Sequence, residues 1–154
     1  MLPENFLSDD SVLETSDAVA AIIATTSGQF LMQLRDDIPG IFYPSFWGCF
    51  GGAVGPDEDP TTALSRELQE ELEFSPSNFA KVLSLDFDLR ALTGKKNYRH
   101  YYLVRIDEKD VDGFVLHEGA AMKLFTAAEL FTLSNVTPYD AFALWLFAAQ
   151  GRLR

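Results

Sequence analysis

The chain has 154 residues, enough for one domain with a proper core, and its 47% hydrophobic content with 13 Phe points to a globular fold rather than disorder. A formal net charge of −11 excludes general nucleic-acid binding, because a phosphate backbone would be repelled. No apolar run reaches the roughly 18 residues that span a bilayer; the first basic residue is Arg35, against a secretory leader, and the single Cys49 fits a reducing, cytoplasmic setting.

Residues 1–16 are acidic and weakly patterned and read as a loosely structured lead-in; 17–154 read as a single domain. Ala18 to Thr25 is a short apolar run rich in strand formers. Thr26-Ser27-Gly28 supplies a turn, and Gln29 to Arg35 is the return strand of a hairpin. Asp36 to Ser45, with Pro39-Gly40 and Pro44, is a loop that carries Phe42 and Tyr43. Phe46 to Val54 reads as a strand ending at Gly51-Gly52, and Gly55-Pro56 breaks it. Thr61 to Glu73 is a helix, opened by Asp59-Pro60 and closed before Ser75-Pro76.

Phe79 to Leu92 and Asn97 to Ile106 read as a second hairpin turning at Thr93-Gly94, with Tyr98, Tyr101 and Tyr102 on the return strand. Asp107 to Gly119 is loop, and Ala121 to Phe125 a last short strand. Thr126 and Glu129 have the spacing of a capping box. Thr137-Pro138 opens a final helix reaching Gln150 before Gly151. That helix is apolar nearly all round, which predicts burial on more than one side.

Charge is unevenly placed. Acids crowd residues 57 to 73, whereas Arg90, Lys95, Lys96, Arg99 and Arg105 cluster between 90 and 105. A local acidic site for a cation and a local basic patch for an anion can therefore coexist. Glu67, Glu70 and Glu71 share one helix face, beside a stripe of Leu64, Leu68 and Leu72. One side can pack on a sheet while the adjoining edge presents carboxylates, the oxygen donors that Mg²⁺ and Mn²⁺ take. Arg66, one turn from Glu70, can tether a carboxylate by a forked hydrogen bond, and Gly51-Gly52 lets backbone come close. Taken alone, the glutamate triplet favours an ordinary solvated face, since E-x-x-E-E is a common pattern.

The wider spacing decides. Gly52, Glu58, Arg66-Glu67-Leu68, Glu70-Glu71 and Phe74 resemble the Nudix box, G-x5-E-x7-R-E-U-x-E-E-x-G-U, with U bulky and apolar. The one departure is Glu73, where the family has glycine. The helix must either accept a left-handed glutamate, at roughly 1 kcal/mol, or run on to Ser75-Pro76.

The resemblance implies an α/β/α sandwich around a mixed β-sheet. It implies a divalent-metal-dependent hydrolase that cleaves the diphosphate linkage of a nucleoside diphosphate derivative by water attack at phosphorus. The substrate would be a nucleotide sugar, an ADP-ribose type compound or a nucleoside triphosphate. Carried over by position, Glu67, Glu70, Glu71 and the Gly52 carbonyl resemble ligands of Mg²⁺ or Mn²⁺. Glu58 resembles a supporting ligand, and Arg66 the residue that orients the glutamates. For the general base the resemblance offers Glu71, or His117 or Glu118 on the loop before the last strand. Arg35, Tyr43, Trp47, Tyr98 and Arg99 are candidates to bind substrate, and a homodimer is the assembly the family suggests. Cys49 reads as a buried small residue. The rival reading is an inactive Nudix-fold module that senses a nucleotide; the crowded glutamates argue against it.

Overall fold

The computed structural model describes residues 14–150. The lead-in expected over 1–16 lies outside the described residues up to residue 13, as does Gly151. In chain order the elements are β1 (Ala18–Thr25), β2 (Phe30–Leu34), β3 (Trp47–Gly48), α1 (Pro60–Leu72), β4 (Ala80–Asp88), α2 (Arg90–Thr93) and β5 (Lys96–Ile106). A 3-10 turn at Glu108–Gly113 precedes β6 (Ala121–Phe125), α3 (Ala127–Leu130) and α4 (Pro138–Ala149).

β1 is the centre of the molecule because it is apolar on both faces. Val19, Ala21 and Ile23 pack in one core with Ala63, Leu64, Leu68 and Leu72 of α1. Ala20, Ile22 and Ala24 pack in a second core with Leu130 of α3 and Ala143 and Leu144 of α4. A strand buried on both sides reads as a continuous apolar run. The result is an α/β/α sandwich around a mixed sheet: β1 runs parallel to β5 and antiparallel to β2, while β4 pairs antiparallel with β5 and β6 with β2.

One edge of β1 is shared by two partners, and that division builds the site. Ile23 and Ala24 pair with β2. Nearer the start of β1, the segment after β3 takes over: Val19 donates its N–H to the Gly52 carbonyl (2.9 Å) and Ala21 to the Phe50 carbonyl (2.8 Å). Between those bonds Gly51 adopts φ +129°, and a Cβ there would stand 2.3 Å from the Val19 carbonyl. Only glycine fits.

The expected continuous strand over Phe46 to Val54 is thus two ladder residues followed by isolated bridges of Phe50 and Ala53 to β1. The second hairpin is also corrected: residues 90–93 close into α2 before β5 begins at Lys96. The last helix differs most. Phe142 and Trp145 are 50% and 48% exposed and stack on each other at 6.3 Å. The sheet is covered by one face of α4, and the opposite face meets solvent. No helix among the described residues is long and apolar enough to cross a membrane.

Candidate active site

α1 starts where the sequence says it should. The Asp59 carboxylate caps the N–H groups of Thr61 and Thr62, and Pro60 takes the first helical position, where no N–H is required. Its far end resolves the glutamate that replaces the usual glycine. Glu73 sits in the left-handed region at φ 52°, its N–H bonded to the Gln69 carbonyl, and Phe74 N–H closes on the Leu68 carbonyl. The helix stops there and does not run on to Ser75-Pro76.

With its leucines buried against β1, α1 turns its carboxylates toward the glycine segment. Arg66 is the hub. Its Nε and Nη2 grip Glu58 as a fork at 2.9 and 3.0 Å. Nη1 donates to Glu67 (2.7 Å) and Glu70 (3.2 Å), and Nη2 also reaches the Ala53 carbonyl (3.1 Å). Arg66 and the Gly55 N–H together hold the Glu58 carboxyl below its usual range. Glu67 faces the opposite balance: burial pushes its pKa up against the pull of Arg66.

Glu71 is the enclosed member, only 2% exposed. It accepts the Gly51 N–H at 2.8 Å and the Gln33 side-chain amide at 3.1 Å. Burial pushes it up to about 8, opposed by the Gly51 bond and reinforced by the charge of Glu118. The charge of Glu118, an exposed residue, adds to the rise at Glu67 as well.

The loop that carries Glu118 is docked on the end of α1. Val115 N–H bonds the Leu72 carbonyl and His117 N–H the Glu71 carbonyl, satisfying acceptors that a helix end leaves open. Gln33 then fixes the Glu118 carbonyl at 2.9 Å. The His117 ring turns outward to Glu73, Nε2 to Oε1 2.6 Å, in an exposed pair. The structure therefore docks the Glu118 backbone beside the box and turns the His117 ring outward.

For a divalent cation the donor set is all oxygen: the carboxylates of Glu67 and Glu70 beside the Gly52 backbone. A Cβ on Gly52 would meet the Glu67 carboxylate at 2.5–2.6 Å, so glycine is what lets the two stand together. The Gly52 carbonyl accepts from Val19 and keeps one lone pair. Arg66 holds Glu58, Glu67 and Glu70 together, and among the described residues no three acidic, histidine or cysteine groups already stand at ligand spacing. The chemistry of the corner nevertheless suits a hard cation.

Beyond the glycines opens a cavity of about 470 Å³. Gly51, Gly52 and Ala53 line it together with Arg35, Phe42, Tyr43, Phe87, Leu89, Asn97, Tyr98, Arg99 and Tyr139, and with Glu14, Thr15, Ser16 and Ala18. Of the candidates for substrate binding, Arg35, Tyr43, Tyr98 and Arg99 all reach it. Trp47 does not: it packs edge-on against Phe125 at 4.9 Å, within the second core. Cys49 is buried as expected, and burial pushes its thiol pKa up.

Sequence reasoning missed Gln33 and Asp140. Asp140 is 1% exposed and accepts four hydrogen bonds: Cys49 N–H (2.9 Å), Thr137 O–H (2.8 Å), Tyr101 O–H (2.8 Å) and Arg99 Nε–H (3.2 Å). Burial works against the Arg99 charge, but Asp140 beside it keeps the guanidinium firmly protonated. The signal was present: a lone acid inside an apolar helix demands a partner.

The model of the family described as NUDIX domain matches residues 14–146. The chain belongs to the Nudix family. Nudix hydrolases generally use divalent metals. An RNA pyrophosphohydrolase of Gluconacetobacter diazotrophicus is 39% identical over 57 residues, 35% of this chain and 34% of that protein. This Nudix chain thus matches about a third of the length of that curated relative. Among solved structures, the MutT protein from Methanosarcina mazei superposes with TM-score 0.70 at 21% identity, covering 92% of this chain and all of that one. The E. coli ORF135 protein gives 0.69 at 26% identity, over 92% and 94% of the two chains. The NUDIX domain of Shewanella oneidensis NrtR, complexed with ADP ribose, gives 0.65 at 16% identity over the full length of both. At 16% and 21% identity, the NrtR and MutT matches show a shared fold.

Proposed function

We propose that this Nudix chain is a divalent-metal-dependent hydrolase that cleaves the diphosphate linkage of a nucleoside diphosphate derivative by water attack at phosphorus. The observation that carries the reading is the Arg66 hub, which gathers Glu58, Glu67 and Glu70 beside the glycine segment that also lines the cavity. A merely solvated glutamate face has no need of a common anchor. Glu67 and Glu70, with the Gly52 carbonyl, would hold Mg²⁺ or Mn²⁺, and Glu71 would back them from its enclosed seat. Glu58 acts through Arg66, since both its oxygens are engaged there.

When bound, the cation neutralises diphosphate charge and lowers the pKa of a water molecule. The chain's own residues do the placing. Arg66 keeps Glu67 and Glu70 from drifting apart, and the Gly51 N–H and Gln33 lock Glu71. Glu118 takes the proton of the attacking water, a role its position favours over His117. The aromatic wall of Tyr43, Tyr98 and Phe42 takes the nucleoside, with Arg35 and Arg99 on the anionic portion. The single buried cysteine supports a reducing, cytoplasmic setting.

The test is turnover of nucleotide sugars, ADP-ribose and nucleoside triphosphates with Mg²⁺ or Mn²⁺, beside the Glu70→Gln variant. Hydrolysis by the parent and its loss in the variant support the reading. A parent that binds these compounds and hydrolyses none would make the chain a nucleotide sensor.

A further inference from the structure

The sheet separates the carboxylates from the deepest cation of the cavity. α1 and its glutamates lie on the face of β1 that presents Val19, Ala21 and Ile23. Arg99 lies in register with Ala18 on β5, and its neighbour but one, Tyr101, belongs to the opposite core, which α4 covers. There Arg99 meets Asp140 of α4 and stands 4.9 Å from the Tyr139 ring. An anion resting on Arg99 is therefore not the group held at Glu67 and Glu70. The cavity reaches Arg99 and the glycine segment, and Gly52 of that segment stands against the Glu67 carboxylate.

Arg99 is only 15% exposed on its side chain, and only its Nε is spent, on Asp140 and the Tyr101 oxygen. Its two terminal nitrogens carry no hydrogen-bond partner among the described residues. Neutralising Asp140 needs one of these donors; a planar fork left over is the geometry that phosphoryl and carboxylate groups accept from arginine. Arg35 repeats the pattern. Its Nε is tied to the Phe42 carbonyl at 2.8 Å, it forms no ion pair among the described residues, and it lines the same cavity. Tyr139 and Tyr43, 5.8 Å apart, stand on the same wall. Glu14 lines the same cavity and Asp140 pairs with Arg99, yet two guanidinium groups with unspent donor ends remain there, and those donors call for an anionic ligand.

We infer that Arg99 and Arg35 form an anion clamp, which selects substrates carrying one phosphoryl group beyond the two joined by the cleaved linkage. The inference rests on the hydrolase reading and deepens it. Asp140, with Thr137, Tyr101 and the Cys49 N–H behind it, is the positioning residue that aims Arg99. Two kinds of substrate supply the extra group: one with a longer polyphosphate chain, or one with a phosphate on its sugar.

Matched pairs separate these sources. ATP against ADP adds a terminal phosphoryl group; NADPH against NADH adds one on the ribose. Affinities are measured by calorimetry with Mg²⁺ on the Glu70→Gln background, so that hydrolysis does not interfere, and kcat/KM ratios on the parent. The clamp predicts that the phosphorylated member of one pair binds about tenfold tighter. Arg99→Gln, or Arg35→Gln if the former does not fold, brings that ratio near one, and Arg99→Lys restores part of it. The pair that responds names the source. Equal affinities in both pairs, or a preference that survives both glutamine variants, overturns the clamp. If the parent hydrolyses nothing, the hydrolase reading fails while the binding ratios still judge the clamp.

Discussion

Asp140 should be among the costliest single residues to remove, although no reaction runs through it. Asp140→Ala takes the acceptor from four donors at once: the Cys49 N–H, the Thr137 and Tyr101 hydroxyls and Arg99 Nε. Removing one partner of a buried ion pair costs about 3–5 kcal/mol. Each neutral donor left buried without an acceptor adds about 1–3 kcal/mol, although the hydroxyls can rotate and the cavity lets water reach Arg99. The net expectation is a loss of about 4 kcal/mol, a large part of the roughly 5–15 kcal/mol that a domain has. Asp140→Asn keeps the shape but sets an amide NH₂ against groups that are themselves donors, and should cost about 2 kcal/mol. Urea unfolding at constant slope reads both. The double replacement Asp140→Leu with Arg99→Met should recover much of the loss, because it removes charge and donor together. An Asp140→Ala protein within about 1 kcal/mol of the parent would refute the network as a unit.

The two box-side glycines predict opposite phenotypes. Gly52→Ala drives a Cβ into the movable Glu67 carboxylate, so thermal stability should hold while turnover falls by about a hundredfold. Gly51→Ala meets β1 backbone and must adopt φ +129°, so soluble folded protein should be lost. Glu73→Gly relieves a left-handed glutamate, which should raise stability by about 1 kcal/mol, less the weak exposed pair with His117; a denaturation curve checks it. Glu118→Gln should cut kcat by about a hundredfold or more with KM little changed, whereas His117→Gln should leave both near parental. The reverse pattern would place the base on His117.

What was legible in the sequence followed the range of the interaction involved. β1 and β6 could be read to the residue because an unbroken apolar run between turn residues has one good solution. The Asp59-Pro60 start of α1 and the capping box at Thr126 and Glu129 are local hydrogen-bond chemistry, and both formed as spaced. The strand expected over Phe46 to Val54 is too long because its strand character depends on a partner. β2 and the glycine segment divide the edge of β1, which no local pattern states. α4 looked buried all round because composition does not reveal how much sheet remains to cover it; Phe142 and Trp145 face outward. Within the box, spacing located the glutamates, but not that Glu58 would be spent on Arg66 or Glu71 enclosed by Gly51 and Gln33. Trp47 and Tyr98 are alike in sequence as aromatic candidates. Only the packing of Trp47 on Phe125 separates them.

Cation binding and turnover should be one event. Metal-stripped protein is titrated with Mn²⁺, and free Mn²⁺ by electron paramagnetic resonance and diphosphate hydrolysis are followed in the same sample. Without the cation no turnover is expected; binding and hydrolysis should rise together in the parent, and both should shift to higher Mn²⁺ in Glu67→Gln. Hydrolysis in the stripped protein, or Mn²⁺ binding that Glu67→Gln leaves untouched, would contradict that coupling.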